Sequence, residues 1–157
     1  MRILLTAEEL EYAQTEALDQ RRRAVENRRE HRGRPGASED DQLRWHVWGM
    51  LGELAVSRLT GFPVTSHRVY DPRATDVGPY QVKATRRGNP LLVHEKDQAN
   101  HRPSTPYILT WVQDDSPLVE IVGWLPFGQI ALDEHWIADW RKWSVPHSKL
   151  LPMSDLP

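Results

Sequence analysis

Thr75-Asp76-Val77-Gly78-Pro79-Tyr80-Gln81-Val82-Lys83 is the stretch around which the rest of the chain is read. Gly78-Pro79 is turn punctuation, and the flanks, Ala74 to Val77 and Tyr80 to Thr85, suit strands. The stretch predicts a hairpin in which Asp76 and Gln81 face each other. Side chains alternate along a strand, so Gln81 and Lys83 point the same way. A carboxylate, an amide oxygen and an ammonium then share one patch, with the Val82 carbonyl between them. Hard divalent cations such as Mg²⁺ take such oxygens, and a neighbouring lysine can orient a water.

Upstream lies the best-marked element. Ser38 with Asp41 reads as a capping box and Gly61 as a C-cap, so a helix is expected from about Glu39 to Thr60. Leu43, Val47, Met50, Leu51, Leu54 and Leu59 give it a broad apolar face. Gly49 and Gly52 interrupt it, and each mid-helix glycine costs about 1 kcal/mol relative to alanine. Close approach of a sheet or backbone is the usual compensation. Glu53 stands in this tight flank, where a carboxylate needs a cation or another partner. His46 lies two turns earlier on the same face; it is a polar packing residue or a phosphate contact. Trp45 and Trp48 read as core or as a helix–helix seam.

Asp76…Gln81-x-Lys83, taken with Gly49-x-x-Gly52-Glu53-x-Ala55, resembles the PD-(D/E)XK nuclease signature in its Gln-x-Lys variant. It is similar to phage-encoded and resolvase-like members, and the resemblance runs from about Trp48 to Leu125. No proline precedes Asp76, so that part of the signature is absent. The resemblance implies a metal-dependent nuclease hydrolysing phosphodiester bonds in DNA, encoded by a phage or prophage. Glu53, Asp76, Gln81 and Lys83 would be catalytic. Glu53, Asp76, Gln81 and the Val82 carbonyl would hold Mg²⁺ or Mn²⁺, and Lys83 would hold the attacking water.

Around that core the chain reads in order. Met1 to Leu5 is a short strand or an extended lead-in. Thr6 and Glu9 form a capping box, and a helix is expected to about Arg32, with Leu10, Ala13, Ala17, Arg21 and Ala24 as a narrow stripe suited to one partner helix. Its acidic start and arginine-rich end follow the helix dipole. Arg28 and Arg29 in the basic half are also candidate DNA-backbone contacts, and the helix is a candidate homodimer seam. Gly33-Arg34-Pro35-Gly36 is a linker. Phe62 to Tyr70 is strand-like. Arg86 and Arg87, in a turn next to the proposed site, are phosphate-contact candidates. Leu91 to Val93, Tyr107 to Val112 and Leu118 to Leu125 read as strands, the last two antiparallel. Asp114 and Asp115 are turn residues, and Trp124 is core. Gln129 to Trp143 is expected to hold one or two short helices.

The chain has 157 residues, 39% of them hydrophobic, no cysteine and a formal net charge of −2. Mean hydropathy is −0.64. No apolar run reaches the roughly 18 residues that a membrane helix requires, and the N-terminal apolar run is too short for a signal peptide. Absence of cysteine excludes disulfides and thiolate metal sites and fits a cytoplasmic protein, the bacterial host cytoplasm if phage encoded. Net charge rules out a chain that is basic throughout, so DNA contact falls to local clusters. There is no G-x-S-x-G, G-x-x-x-x-G-K-[ST] or H-E-x-x-H, which argues against a serine hydrolase, an ATPase and a zinc hydrolase. The expected class is α+β: a central mixed sheet of about five or six strands flanked by helices. Residues 1–37 form an N-terminal helical extension, 38–144 the nuclease-like core, and 145–157 a tail packed on that core. The rival readings are a catalytically weak or inactive DNA-binding or assembly module on the same fold, and a structural protein dimerising through its first helix.

Overall fold

A computed structural model describes residues 1–26, 38–65, 71–114 and 116–157. Helix α1 (Ala7–Glu26) opens on the Thr6–Glu9 capping box. Glu9 N–H donates to Thr6 Oγ1 at 3.2 Å, and Thr6 N–H donates to Glu9 Oε2 at 2.7 Å. Helix α2 (Glu39–Thr60) starts at Ser38, whose Oγ accepts from Asp41 N–H at 3.1 Å. The Asp41 carboxylate takes the Ser38 hydroxyl, so this box closes through the side chain and not through the backbone. Gly61 ends α2 in the left-handed conformation, φ 77°, and its N–H donates to Ser57 O. Both helices therefore start where the caps predict, and α2 also ends there. The continuation of α1 to Arg32 and the linker at 33–36 lie outside the described residues.

The α1 stripe is used as its small side chains allow. Ala13 and Ala17 are fully buried, α1 packs on α2, and Arg21 ends the contact in an ion pair with Glu39 at 3.3 Å. Helix α2 is sandwiched between α1 and a sheet, which buries Ala55 and Val56 beyond the predicted face; Trp48 is buried as expected of a core residue, whereas Trp45 is exposed.

The strands are β1 (Arg2–Leu4), β2 (Gln81–Arg86), β3 (Leu91–His94), β4 (Pro106–Val112), β5 (Leu118–Pro126), β6 (Trp136–Ile137) and β7 (Lys142–Val145). They do not form one sheet of five or six. A four-stranded mixed sheet has the order β1-β5-β4-β2, with β2 parallel to β4 and the other neighbours antiparallel. A separate antiparallel sheet has the order β3-β7-β6. The division begins at Arg86–Pro90: Asn89 N–H donates to Arg86 O at 3.1 Å, and Pro90 has no N–H with which to continue a ladder. The chain leaves in a new direction, and β3 pairs with β7. The expected first arm of the hairpin, Ala74 to Val77, is only a bridge at Val77, which pairs with Tyr80 and with Val64. Residues 66–70 of the expected Phe62–Tyr70 strand lie outside the described residues.

The expected C-terminal helices shrink to one turn, α3 (Phe127–Ile130), followed by 3-10 turns around β6 and β7. Lys142-Trp143-Ser144-Val145 explains why: burial alternates, with Trp143 and Val145 inside, and that is strand periodicity. The last residues lie along the core. Leu151 bridges Trp124 on β5, and Leu151, Met153 and Leu156 pack on the core.

Three layers result. Val82, Ile108, Val112, Ile121 and Trp124 face α2 and its Met50, Leu51, Ala55 and Val56. Tyr107, Leu109 and Leu125 face the other way, onto Leu91, Val93, Trp143 and Val145 of the small sheet. The class is α+β with a mixed sheet. Among the described residues no helix is long and apolar enough to cross a membrane.

Candidate active site

Gly78-Pro79 makes a two-residue turn. Tyr80 N–H donates to Val77 O at 2.9 Å and Val77 N–H to Tyr80 O at 3.0 Å. Gly78 has φ 52°, the positive value that a type II′ turn needs at its first central position. Asp76 N–H also donates to Tyr80 O, at 3.0 Å, so two residues oppose one: a β-bulge at the acid. The bulge changes the expected geometry. Asp76 does not simply face Gln81; its Oδ2 accepts from Val82 N–H at 2.8 Å. Among the described residues β2 is an edge strand, and this bond runs along its outer flank. In an extended strand the N–H and C=O of one residue point the same way, so the Val82 carbonyl shares that flank with the Asp76 carboxylate.

Gln81 and Lys83 alternate with Val82 and lie in register with Tyr107 and Leu109. They project towards the small sheet. Gln81 is buried, and its Oε1 has no hydrogen-bond partner. Lys83 Nζ lies 3.3 Å from Oδ2 of Asp97 and 5.5 Å from the centroid of the Tyr107 ring. Asp97 comes from a 3-10 turn, Glu95–Ala99, that follows β3, and it is only 6% exposed. His101 Nδ1 pairs with the Tyr107 hydroxyl. Burial pushes the Tyr107 phenol far above its ordinary pKa, and the Asp97 and Asp76 carboxylates add to the shift. Both acids therefore act on one phenol.

Glu53 is buried in α2 next to Gly52. A Cβ on Gly52 would sit 2.5 Å from Thr110 Oγ1 and 3.1 Å from Ala84 Cβ, so the close approach expected of the glycines is real here. A Cβ on Gly49 would meet nothing within 4 Å. Helix α2 covers the Val82–Ala84 face, whereas Gln81 and Lys83 leave from the opposite face. Asp76, on the flank, stands between the two. The structure thus places Gln81 and Lys83 on one face of β2, Asp76 and the Val82 carbonyl on its outer flank, and Glu53 on the helix side of the sheet.

The proposed phosphate contacts are spread around this centre. Arg86 is exposed; it pairs with Asp114 at 3.1 Å and lies over the Trp48 ring at 5.4 Å. Arg87 lies 3.7 Å from Glu120. His46 is half-buried on α2. Arg28 and Arg29 lie outside the described residues. Asp114 is more than a turn residue, since it also accepts from Trp48 Nε1 at 3.0 Å. A groove of about 740 Å³ between α1, α2 and the β4–β5 turn, floored by Leu10, Leu43, Val47 and Leu51, contains none of the four proposed catalytic residues.

Asp97, Tyr107, His94 and His101 were not anticipated. Asp97 sits in His94-Glu95-Lys96-Asp97, which reads as a charged exit from a strand. Its one sequence signal is the three-residue step from His94, which a 3-10 turn would bring to the same side.

Among the described residues no three His, Cys, Asp or Glu side chains group to hold a metal. The oxygens of Asp76, Gln81 and Val82 nonetheless suit a hard divalent cation: one charged and two neutral donors, with the Gln81 oxygen buried and unsatisfied. No family model, curated protein or solved structure matches the chain.

Proposed function

We propose that the protein is a metal-dependent nuclease hydrolysing phosphodiester bonds in DNA. One observation carries the reading: the bulged Asp76 carboxylate is held beside Val82 while Gln81, next to Val82 in the strand, buries an amide oxygen that no group among the described residues satisfies. A buried unsatisfied acceptor costs about 1–3 kcal/mol, and a cation would remove that cost. Mg²⁺ or Mn²⁺ bound there would act as a Lewis acid and lower the pKa of its water.

The chain's own groups do the rest. Asp76 and the Val82 carbonyl hold oxygens along the outer flank of β2. Lys83 carries a compact positive charge on the Gln81 face, suited to orienting a water or a phosphate oxygen and to offsetting charge that develops on the phosphate. Glu53 would approach from the helix side, around the same flank. Arg86 and Arg87 would contact the DNA backbone, exchanging their present acidic partners for phosphates.

A second reading, a DNA-binding module without catalysis, is favoured by one contact. Lys83 already has a buried counter-ion in Asp97, as a purely structural lysine would. Cleavage and binding measured on the same labelled DNA in Mg²⁺ and Mn²⁺ separate the two. The nuclease reading expects Lys83→Ala to keep DNA binding and lose about 10²-fold or more in cleavage, the scale for one acid–base or electrostatic group. Asp76→Asn should lose metal binding and cleavage together. Cleavage by Lys83→Ala at the wild-type rate would overturn the mechanism. DNA binding that is unchanged by EDTA, with no cleavage, would favour the module.

A further inference from the structure

We propose that Asp97 is the second carboxylate of the metal site and supplies the negative charge that Gln81 lacks. The inference rests on the metal-dependent reading above and adds a ligand to it. A site built from Asp76, Gln81 and a carbonyl has one formal negative charge, and the affinity of hard divalent cations rises with the number of charged ligands. A carboxylate at position 81 would be the simplest remedy, but the chain has glutamine there. Asp97 is the acid that the fold delivers to the same face instead.

Four features place it there. The 3-10 turn after β3 brings Asp97 under β2, where its Oδ2 reaches the ammonium of Lys83 at 3.3 Å. Lys83 and Gln81 leave the same face of β2, side by side. Tyr107, the register partner of Gln81, lies on the same face, its ring centroid 5.5 Å from the Lys83 ammonium that Asp97 pairs with. Finally, Asp97 Oδ2 and Gln81 Oε1 are both buried without a hydrogen bond, on residues 6% and 8% exposed. The ion pair with Lys83 and the neighbouring Tyr107 hydroxyl meet only part of what a buried carboxylate requires. One charged and one neutral oxygen, both buried without a hydrogen bond, thus share this face, a donor pair of the kind a hard divalent cation takes.

The alternative is that Asp97 is only the structural counter-ion of Lys83. Metal binding without DNA tells the two apart. Mn²⁺ is titrated into the full chain and the free ion is followed by its electron paramagnetic resonance, for wild type, Asp97→Asn, Asp97→Glu, Lys83→Met and the Lys83→Met/Asp97→Asn pair. Thermal unfolding of each variant without metal serves as the fold control. The expected result is that Asp97→Asn weakens Mn²⁺ binding by about tenfold or more, that Asp97→Glu recovers part of it, and that Lys83→Met binds at least as tightly as wild type. The paired variant removes the stranded lysine, so it reports on metal even if Asp97→Asn alone folds poorly; it should also bind weakly. Wild-type affinity in both Asp97→Asn and the paired variant would overturn the role of Asp97 and leave the nuclease reading standing. No Mn²⁺ binding by the wild type would overturn both.

Discussion

His94 closes β3 opposite Lys142 in the ladder with β7. Burial, then Lys142, Lys96 and Lys83, push its pKa down to about 4, with Asp97 opposing them. In the unfolded chain the imidazole titrates near 6.5. Between those values the unfolded chain binds a proton that the folded chain refuses, so this contribution is whole above pH 6.5 and is lost as pH falls towards 4. Urea unfolding of the metal-free protein should show stability falling across that window, and falling less for His94→Gln; equal slopes would deny the imidazole this role. At this scale the proposed site was partly legible. Asp76, Gln81, Val82 and Lys83 are close in sequence, and the period of a strand puts Gln81 and Lys83 on one face. Asp97 was not legible, because nothing local ties a residue of a 3-10 turn to a lysine fourteen positions earlier. Nor was the bulge, which is set by which N–H groups Tyr80 O accepts and not by composition.

At the scale of elements, the two α2 glycines that look alike in sequence have opposite meanings. Gly52 lies on Thr110, Ala84 and Val82, whereas Gly49 has open space. Gly52→Ala should destabilise the protein by about 1–3 kcal/mol, as overpacking does. Gly49→Ala should stabilise it by up to about 1 kcal/mol, the helix-propensity gain. Chemical denaturation of both variants checks the pair, and a loss at both positions would mean that the helix is seated differently. Caps and hydrophobic periodicity were enough to bound α2, since they act within a turn of the helix. Sheet partnership was not readable that way. Leu91–His94 is recognisable as a strand, but its pairing with β7 depends on the turn at Pro90 and on a partner about fifty residues later. Lys142–Val145 was lost among aromatic residues that also suit a helix.

Across the whole molecule, β5 is held from both ends of the sequence. β1 pairs along its start, and Leu151 bridges Trp124 further on. The last residues also act as acceptors: Pro152 O takes Trp124 Nε1 at 3.1 Å, and Pro157 O takes the Tyr80 hydroxyl at 2.7 Å. Removing residues 150–157 should therefore cost at least about 2 kcal/mol, roughly one buried aliphatic side chain, and lower the melting temperature in calorimetry. An unchanged transition would show that this segment only rests on the surface. The flank of β2 has a consequence of another kind. Among the described residues no strand pairs with this flank, and an edge strand with open N–H groups is a template for another molecule's strand. Asp76, by taking the Val82 N–H, closes one of those openings. Substituting it with alanine would remove a carboxylate and also uncover a docking rail, so such a protein could self-associate for reasons unrelated to chemistry. Asparagine keeps an oxygen in place to occupy that N–H, and a comparison of the two by light scattering would separate loss of charge from loss of edge protection.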